Sequence, residues 1–380
     1  MTPRGSGPRP GARSGARAGS SGDLGSGSGT TRRGGPGRGP GAGSPPVEAL
    51  RRIAYLLERG RAETYKVRAF RSAAEAIAGR PVEELAAMTP AALQALPGVG
   101  KTTAQVIAEA SRGEQPSYLR KLEGTDLPAL EGAAAELRDA LQGDCHSHSD
   151  WSDGGSPIRE MAEAARSLGH RYWALTDHSP RLTVAHGLNP ERLRQQLEVV
   201  AELNEELAPF RILTGIEVDI LEDGSLDQEE GLLAGLDVVV ASVHSKLRMG
   251  EAEMTERMLR AIESPHTDIL GHCTGRLLVG KGRPPSAFDA ERVFEACART
   301  GTAVEVNSRP ERLDPPEPLL ELALSLGCVV TVDTDAHAPG QLEWQRYGCA
   351  HAAKVGVRSD RVMNARPLGE FLDWTAGHAA

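Results

Sequence analysis

Residues 144–375 predict an α/β fold with a parallel sheet, preceded by a small all-α domain and a disordered tail. Three observations carry this. Seven apolar, β-branched runs alternate with amphipathic helical stretches within about 230 residues, the pattern of strands joined by crossover helices. Upstream, residues 46–123 place apolar residues at helical spacing. Residues 1–45 are mostly Gly, Ser, Pro and Arg and offer almost nothing to bury. The expected organisation is a tail over 1–45, a helical domain over 46–123, a linker over 124–143 and an α/β domain over 144–375.

The tail sets seven arginines against Asp23 and reads as a solvated basic extension. Helices are expected over 47–58, 65–79 and 81–88, then a helix, a Gly turn and a second helix over 89–113. The linker is expected to be helical over 135–142. In the α/β part, helices are expected over 156–169, 189–207, 226–234, 250–263, 287–299, 315–326 and 340–354.

Bulk properties narrow the function. A net charge of −9 argues against a chain that coats nucleic acid non-specifically, though not against a local basic patch. There is no run of about 18 apolar residues, so no membrane span is expected. The N-terminus lacks the apolar region of a secretory signal. Five widely spaced cysteines with no CxxC fit a reducing, cytoplasmic setting.

The strand-like segments hold the chemistry. In order they read DCHSH (144–148), ALTDHS (174–179), GIEVDI (215–220), ASVHS (241–245), ILGHC (269–273), EVNS (305–308) and VDTDAH (332–337). His146 and His148 have the i, i+2 spacing that points two side chains the same way from a strand, and so have Asp335 and His337. Asp153 follows His148 in a turn. His178, Glu217, His244 and His272 sit at or near other strand ends, where parallel α/β folds gather reactive groups. Unpaired in one place, nine such groups would be costly to desolvate. Nitrogen and oxygen donors without thiolate suit Zn²⁺, Mn²⁺ or Fe²⁺. Nine ligands suffice for three divalent ions, with Glu217 able to bridge. Such ions clamp a phosphoryl group and activate a hydroxide, so the expected reaction is phosphoester hydrolysis. Catalytic roles fall on Glu217, His148 and Asp335. Arg276, Lys246, Arg309 and Arg312 are candidate phosphate contacts. Asn307, in the sixth segment, is a candidate substrate contact, that strand being taken as a substrate wall and not as a source of ligands.

HSHSDWSDG, TDHS, GIEVDI, SVHS, GHCTGR and DTDAH together resemble the PHP (polymerase and histidinol phosphatase) family over about 144–375, most nearly the PHP domain of bacterial family-X DNA polymerases. The resemblance implies a distorted seven-stranded (β/α) barrel with a trinuclear site. Its ligands fall on His146, His148, Asp153, His178, Glu217, His244, His272, Asp335 and His337.

In the helical domain, PGVGK (97–101) invites a P-loop reading. That reading fails because the motif needs Gly where Ala95 stands, and no strand precedes it. A helix-hairpin-helix is the better reading. Gly98 and Gly100 permit a tight turn, the second helix's N-terminus can hold a DNA phosphate, and Lys101 adds charge. YKVRAFRSAA, LPGVGKTTAQVIAE and YLRKLE resemble the N-terminal domain of family-X polymerases, with Lys66, Arg68 and Arg71 as a basic helix face. The family's lyase lysine corresponds to Val106, so no lyase is expected. Only about 20 residues separate YLRKLE from DCHSH, too few for a polymerase palm of domain size. The expected function is metal-dependent hydrolysis of DNA phosphodiester or 3′-end phosphate bonds, without polymerisation. The alternatives are a small-molecule phosphatase of histidinol-phosphate type and a DNA-binding scaffold with structural metals.

Overall fold

The computed structural model describes residues 44–124, 127 and 129–378. Residues 1–43 of the expected tail lie outside the described residues. The described residues fall within one compact unit, Gly41–Ala380.

Seven parallel strands run in sequence order among the described residues: β1 (Gly143–Asp144), β2 (Tyr172–Leu175), β3 (Arg211–Asp219), β4 (Val238–Ser242), β5 (Ile269–Leu270), β6 (Ala303–Asn307) and β7 (Val330–Asp333). The sheet curls until its edges meet just beyond β1 and β7. There Asp335 N–H donates to the His146 carbonyl at 2.9 Å and His148 N–H to the Ala336 carbonyl at 2.8 Å. Lower down the seam, carboxylates replace carbonyls. Asp333 accepts the Cys145 N–H at 2.7 Å, and Asp144 accepts the Thr334 N–H at 3.2 Å. This is the distorted (β/α)7 barrel expected from the sequence.

Strand alternation decides what faces the barrel interior. In β3, Ile216 and Val218 join the core under the helices, while Leu213 joins the interior cluster and Glu217 continues that face. In β6, Val304 and Val306 likewise pack outward, Ala303 packs inward, and Glu305 and Asn307 continue the inward face. The far end of the barrel is plugged by Met363 and Phe371, the latter on a helix over Leu368–Ala376 that the sequence reading did not anticipate. The helix expected over 226–234 shortens to Glu230–Leu233, because Leu226 bridges back to Ile220. The helix expected over 340–354 starts as a 3₁₀ turn, Pro339–Trp344, and becomes α-helical at Gln345–Lys354.

The helices over Pro45–Arg59, Thr64–Ile77, Val82–Ala87, Pro90–Gln94, Lys101–Ser111 and Ser117–Glu123 build a separate core around Leu50, Ile53, Phe70, Ile77 and Ile107. Val106 is buried in it. This helical region is seated on the barrel through a buried acid. Glu58 accepts from Arg71 Nε at 2.9 Å and Nη2 at 2.6 Å, and from the Gly340 N–H at 3.1 Å. Arg71 also reaches the Gly155 carbonyl at 3.3 Å and Glu160 at 3.1 Å. Trp344 Nε1 donates to the Arg59 carbonyl at 2.9 Å, and Arg61 pairs with Glu311 at 2.8 Å. A Cβ at Gly340 would overlap the Tyr55 carbonyl, so only glycine permits this approach. Arg71 therefore leaves the set of DNA contacts expected from the sequence, because its guanidinium is taken up by the joint between the two regions.

His170, two residues ahead of β2, carries a testable liability. Its ring is buried and neither nitrogen has a hydrogen-bond partner among the described residues. Burial, aided by the Arg138 charge, pushes its pKa from 6.5 down to about 3. The unfolded chain therefore takes up a proton below about pH 6.5 that the folded chain refuses, and stability falls as pH falls through that window. Between pH 6.5 and 5 this one group removes about 2 kcal/mol, at ~1.4 kcal/mol per unit. In urea melts, His170→Leu should lose less stability than the wild type over that range. Parallel pH profiles would sink the assignment.

Candidate metal centre

Glu217 stands at the centre of the barrel mouth, fully buried, and its two oxygens face different histidines. Oε1 lies 3.3 Å from His146 Nε2, 3.1 Å from His244 Nε2 and 2.8 Å from His272 Nε2. Oε2 lies 3.6 Å from His148 Nε2 and 2.8 Å from His178 Nδ1. Asp335 Oδ1 is 3.4 Å from His148 Nε2. Asp153 Oδ1 lies 3.4 Å from His178 Nε2 and 3.2 Å from His337 Nε2. The structure thus brings all nine sequence-expected ligands together.

They fall into four overlapping groups, each with its ligand atoms within 4.8 Å of one another: His148, Asp153, His178 and His337; His146, His148 and Asp335; His146, Glu217 and His272; His178, Glu217 and His244. His146 Nε2 and His148 Nε2 are buried without a hydrogen-bond partner among the described residues. Buried nitrogen and oxygen atoms that converge in this way on one small space suit a cation. The residues present fit divalent metal. The five cysteines, all buried and unpaired, take no part in these groups.

The electrostatics agree. Burial pushes the Glu217 carboxyl up, but His244, His146 and His178 outweigh it and hold it well below the usual range. Burial likewise opposes ionisation of Asp335, and Arg309 and His148 overcome it. His148 goes the other way. Burial, then the His337 and His178 charges, push it down to about 3, leaving a neutral imidazole.

Two departures from regular strand geometry place the ligands. Asp335 lies beyond the end of β7 with φ +53°, a conformation Asp tolerates better than most residues, so a turn and not strand alternation presents Asp335 and His337. His272 has φ +22° just past β5.

The expected phosphate contacts separate. Arg309 Nη1 lies 3.3 Å from Asp335 Oδ1, and Arg312 Nε 3.3 Å from Asp335 Oδ2. Both line a cavity of roughly 350 Å³ together with Asp153, His178, Glu217, His244, His272, Asp335 and His337. Arg312 Nη1 is buried there with no hydrogen-bond partner among the described residues. Arg276, in contrast, donates to the Arg312 carbonyl at 2.9 Å and to the Leu313 carbonyl, so it braces the loop under Arg312. Lys246 is exposed, lies 3.8 Å from Glu222 and does not line the cavity. Neither meets the expectation of a phosphate contact. Asn307 is buried, donating to Glu305 Oε2 at 3.2 Å and Asp335 Oδ2 at 3.3 Å and accepting the Arg309 N–H at 3.1 Å. It ties this wall together.

The sequence reading missed a layer of acids behind the ligands. Glu305 accepts from His146 Nδ1 at 2.6 Å and from the His272 N–H at 2.6 Å. Asp177 gathers the Ser149 N–H at 2.8 Å, the Ser149 hydroxyl at 2.6 Å and Gln196 at 2.7 Å, fixing the turn that carries Asp153. Asp219 accepts the His244 N–H at 3.1 Å. The signal was present: Glu305 and Asn307 share one strand face between two valines, Asp219 is two residues past Glu217, and Asp177 precedes His178.

On the helical region, Gly98 has φ +78° and packs against Ser72, so the turn requires glycine there; Gly100 is extended. Lys66, Arg68 and Lys101 are exposed. Gly100 N–H is held by Thr103 Oγ1 at 2.8 Å, and the first-turn N–H groups that follow it have no carbonyl of their own helix to bond.

Fold and site together define an α/β-barrel hydrolase whose barrel mouth holds histidine–carboxylate clusters suited to a metal site. The chain belongs to the PHP domain family: residues 144–309 match the PHP domain, and residues 44–115 match a helix-hairpin-helix domain. A probable phosphatase of Caldanaerobacter subterraneus subsp. tengcongensis is 30% identical over 207 residues, covering 51% of this chain and 75% of that protein. The DNA polymerase/3′-5′ exonuclease PolX of Bacillus subtilis is 42% identical over 228 residues, which are 60% of this chain but only 40% of that protein. The crystal structure of a histidinol phosphate phosphatase from Lactococcus lactis, complexed with zinc, L-histidinol and phosphate, covers 57% of this chain and 95% of its own at 19% identity and a TM-score of 0.42. That likeness is too low to bear on substrate.

Proposed function

We propose that this chain is a metal-dependent phosphoesterase acting on DNA, removing nucleotides or phosphate from 3′ ends, with no polymerase activity. The observation that carries the reading is the seat of the helix-hairpin-helix region. Arg71 bonds Gly155, two residues past Asp153; Glu58 bonds Gly340, three past His337; Arg61 pairs with Glu311, between Arg309 and Arg312. A module that holds DNA phosphate thus rests on three of the loops that build the metal centre. A phosphatase for a small metabolite gains nothing from that arrangement. Three of the four large apolar side chains exposed among the described residues, Val184, Leu278 and Val279, lie on the two loops whose Leu182, Leu277 and Val279 line the cavity. They offer apolar surface to a nucleobase.

The nine ligands would suffice to hold three divalent ions, of Mn²⁺, Zn²⁺ or Fe²⁺ type, with Glu217 at their centre. When bound, such ions acidify water to near neutral pKa and neutralise phosphoryl charge. Arg309 and Arg312 turn from Asp335 to the phosphate, Arg312 through the donor it already holds without a partner. Lys101, Lys66 and Arg68 hold the DNA backbone. Five buried, unpaired cysteines are in keeping with a cytoplasmic setting, and no helix among the described residues is long and apolar enough to cross a membrane.

The test is Mn²⁺-supported nucleotide release from single-stranded DNA, abolished by His146→Ala with His148→Ala. A metal-loaded wild type inert on DNA, or one far faster on histidinol phosphate than on other esters, would overturn the reading. Lys101→Glu should weaken DNA binding and reduce the slope of log K against log salt by about 0.7 on single strands, one phosphate contact. An unchanged slope would remove Lys101 from the interface.

A further inference from the structure

We propose that Glu305 is the positioning carboxylate of this centre: it fixes which nitrogen of His146 carries the proton and locks His272 beside it, so that both present ligand atoms to Glu217. The inference rests on the metal reading of the site and adds a residue outside its nine ligands.

Three donors converge on this one side chain. Oε1 takes His146 Nδ1 at 2.6 Å. Oε2 takes the His272 backbone N–H at 2.6 Å and Asn307 Nδ2 at 3.2 Å. All four residues are buried. Both oxygens are therefore committed as acceptors. An amide could not replace this carboxylate, since its NH₂ would face a donor on one side or the other.

The consequence for His146 follows from the chemistry of imidazole. A ring nitrogen 2.6 Å from a carboxylate oxygen carries hydrogen, so Nδ1 is the protonated nitrogen. In the neutral ring, Nε2 is then a bare lone pair, and it lies 3.3 Å from Glu217 Oε1. Two acceptors that close repel unless a cation lies between them. Glu305 thus turns the His146 ring into a ligand pointed at the central carboxylate, the arrangement in which an acid behind a histidine raises its basicity toward metal. Through Oε2 it does a second job. His272 sits at φ +22°, an unfavourable backbone, and the bond to its N–H holds that turn so that Nε2 stands 2.8 Å from the same Glu217 oxygen. One carboxylate thereby sets two of the three histidines around Oε1.

The experiment uses Zn²⁺ itself as the probe, titrated against a competing chelator into metal-stripped protein. Glu305→Gln and Glu305→Ala should weaken the tightest-bound Zn²⁺ about 10–100-fold, with the fold retained by circular dichroism. Affinity within threefold of the wild type overturns the proposal. A wild type that binds no Zn²⁺ overturns instead the metal reading beneath it. Should the variants misfold, the wild type decides alone. In ¹⁵N-histidine-labelled, Zn²⁺-loaded protein, His146 should show a slowly exchanging, downfield Nδ1–H in long-range ¹H–¹⁵N correlation spectra. A proton on Nε2 refutes the assignment.

Discussion

Glu217→Gln should lower hydrolysis of a DNA ester by at least about 10³-fold and leave the protein short of metal. The substitution keeps side-chain volume and removes one acceptor oxygen. That loss matters because the two oxygens are not equivalent. Oε1 faces His146, His244 and His272, and Oε2 faces His148 and His178. A glutamine can present its single oxygen to one set only, and its NH₂ then points at ligand nitrogens of the other. Half the cluster loses its shared carboxylate. Bound metal, measured per chain by mass spectrometry after exhaustive dialysis, should fall together with activity, while the proposed DNA binding by the helical region should be unaffected. Full metal content with activity within tenfold of wild type would show that Glu217 is a neighbour of the centre and not one of its ligands. The result would also separate a catalytic centre from a structural one, since a structural metal site could lose its ion without a matching loss on ester substrates.

What the sequence made legible follows from periodicity. A side chain in a parallel strand has two choices of face, so a polar residue among β-branched neighbours at a strand end is visible without a structure. Glu217 between Ile216 and Val218 is such a case, and so was Glu305 between Val304 and Val306, which went unread because its strand held no histidine. Loop cations were not legible. Arg276 and Lys246 closely follow the ligands His272 and His244, while Arg309 and Arg312 follow a strand without ligands, yet it is the first pair that loop backbone turns away: Arg276 down onto the Leu313 carbonyl, Lys246, at φ +54°, out to solvent. Nearness in sequence sets direction in a strand and not in a loop. Arg71 failed for a different reason. On an isolated helix it is a surface cation, and only contact with the barrel, far away in sequence, reveals its partner.

That contact supports the other large expected effect. Arg71→Ala should destabilise the protein by about 2 kcal/mol, because Glu58 is buried and losing its partly exposed partner leaves that charge without compensation. Glu58 would keep only the Gly340 N–H. Burial already holds the Glu58 carboxyl above its usual range against the pull of Arg71, so without the guanidinium it rises further. The sign of the pH dependence follows. A carboxyl whose folded pKa is raised contributes stability at low pH, where both states hold the proton, and loses it as pH rises, because the unfolded chain then ionises first. The defect of Arg71→Ala should therefore be larger at about pH 8 than at about pH 5. Glu58→Gln in the Arg71→Ala background should recover much of the loss at about pH 8, since a neutral amide still accepts from Gly340 without needing a counter-charge. Urea denaturation of the wild type and the two variants at both pH values decides the matter. If Arg71→Ala costs the same at both, or if Glu58→Gln adds to the damage, the joint is held by packing around Gly340 and Trp344 and not by this pair. The same protein preparations bear on DNA. The salt slope of binding should be unchanged in Arg71→Ala measured where the variant is folded, because a guanidinium already bonded to Glu58 and Glu160 has no phosphate to release.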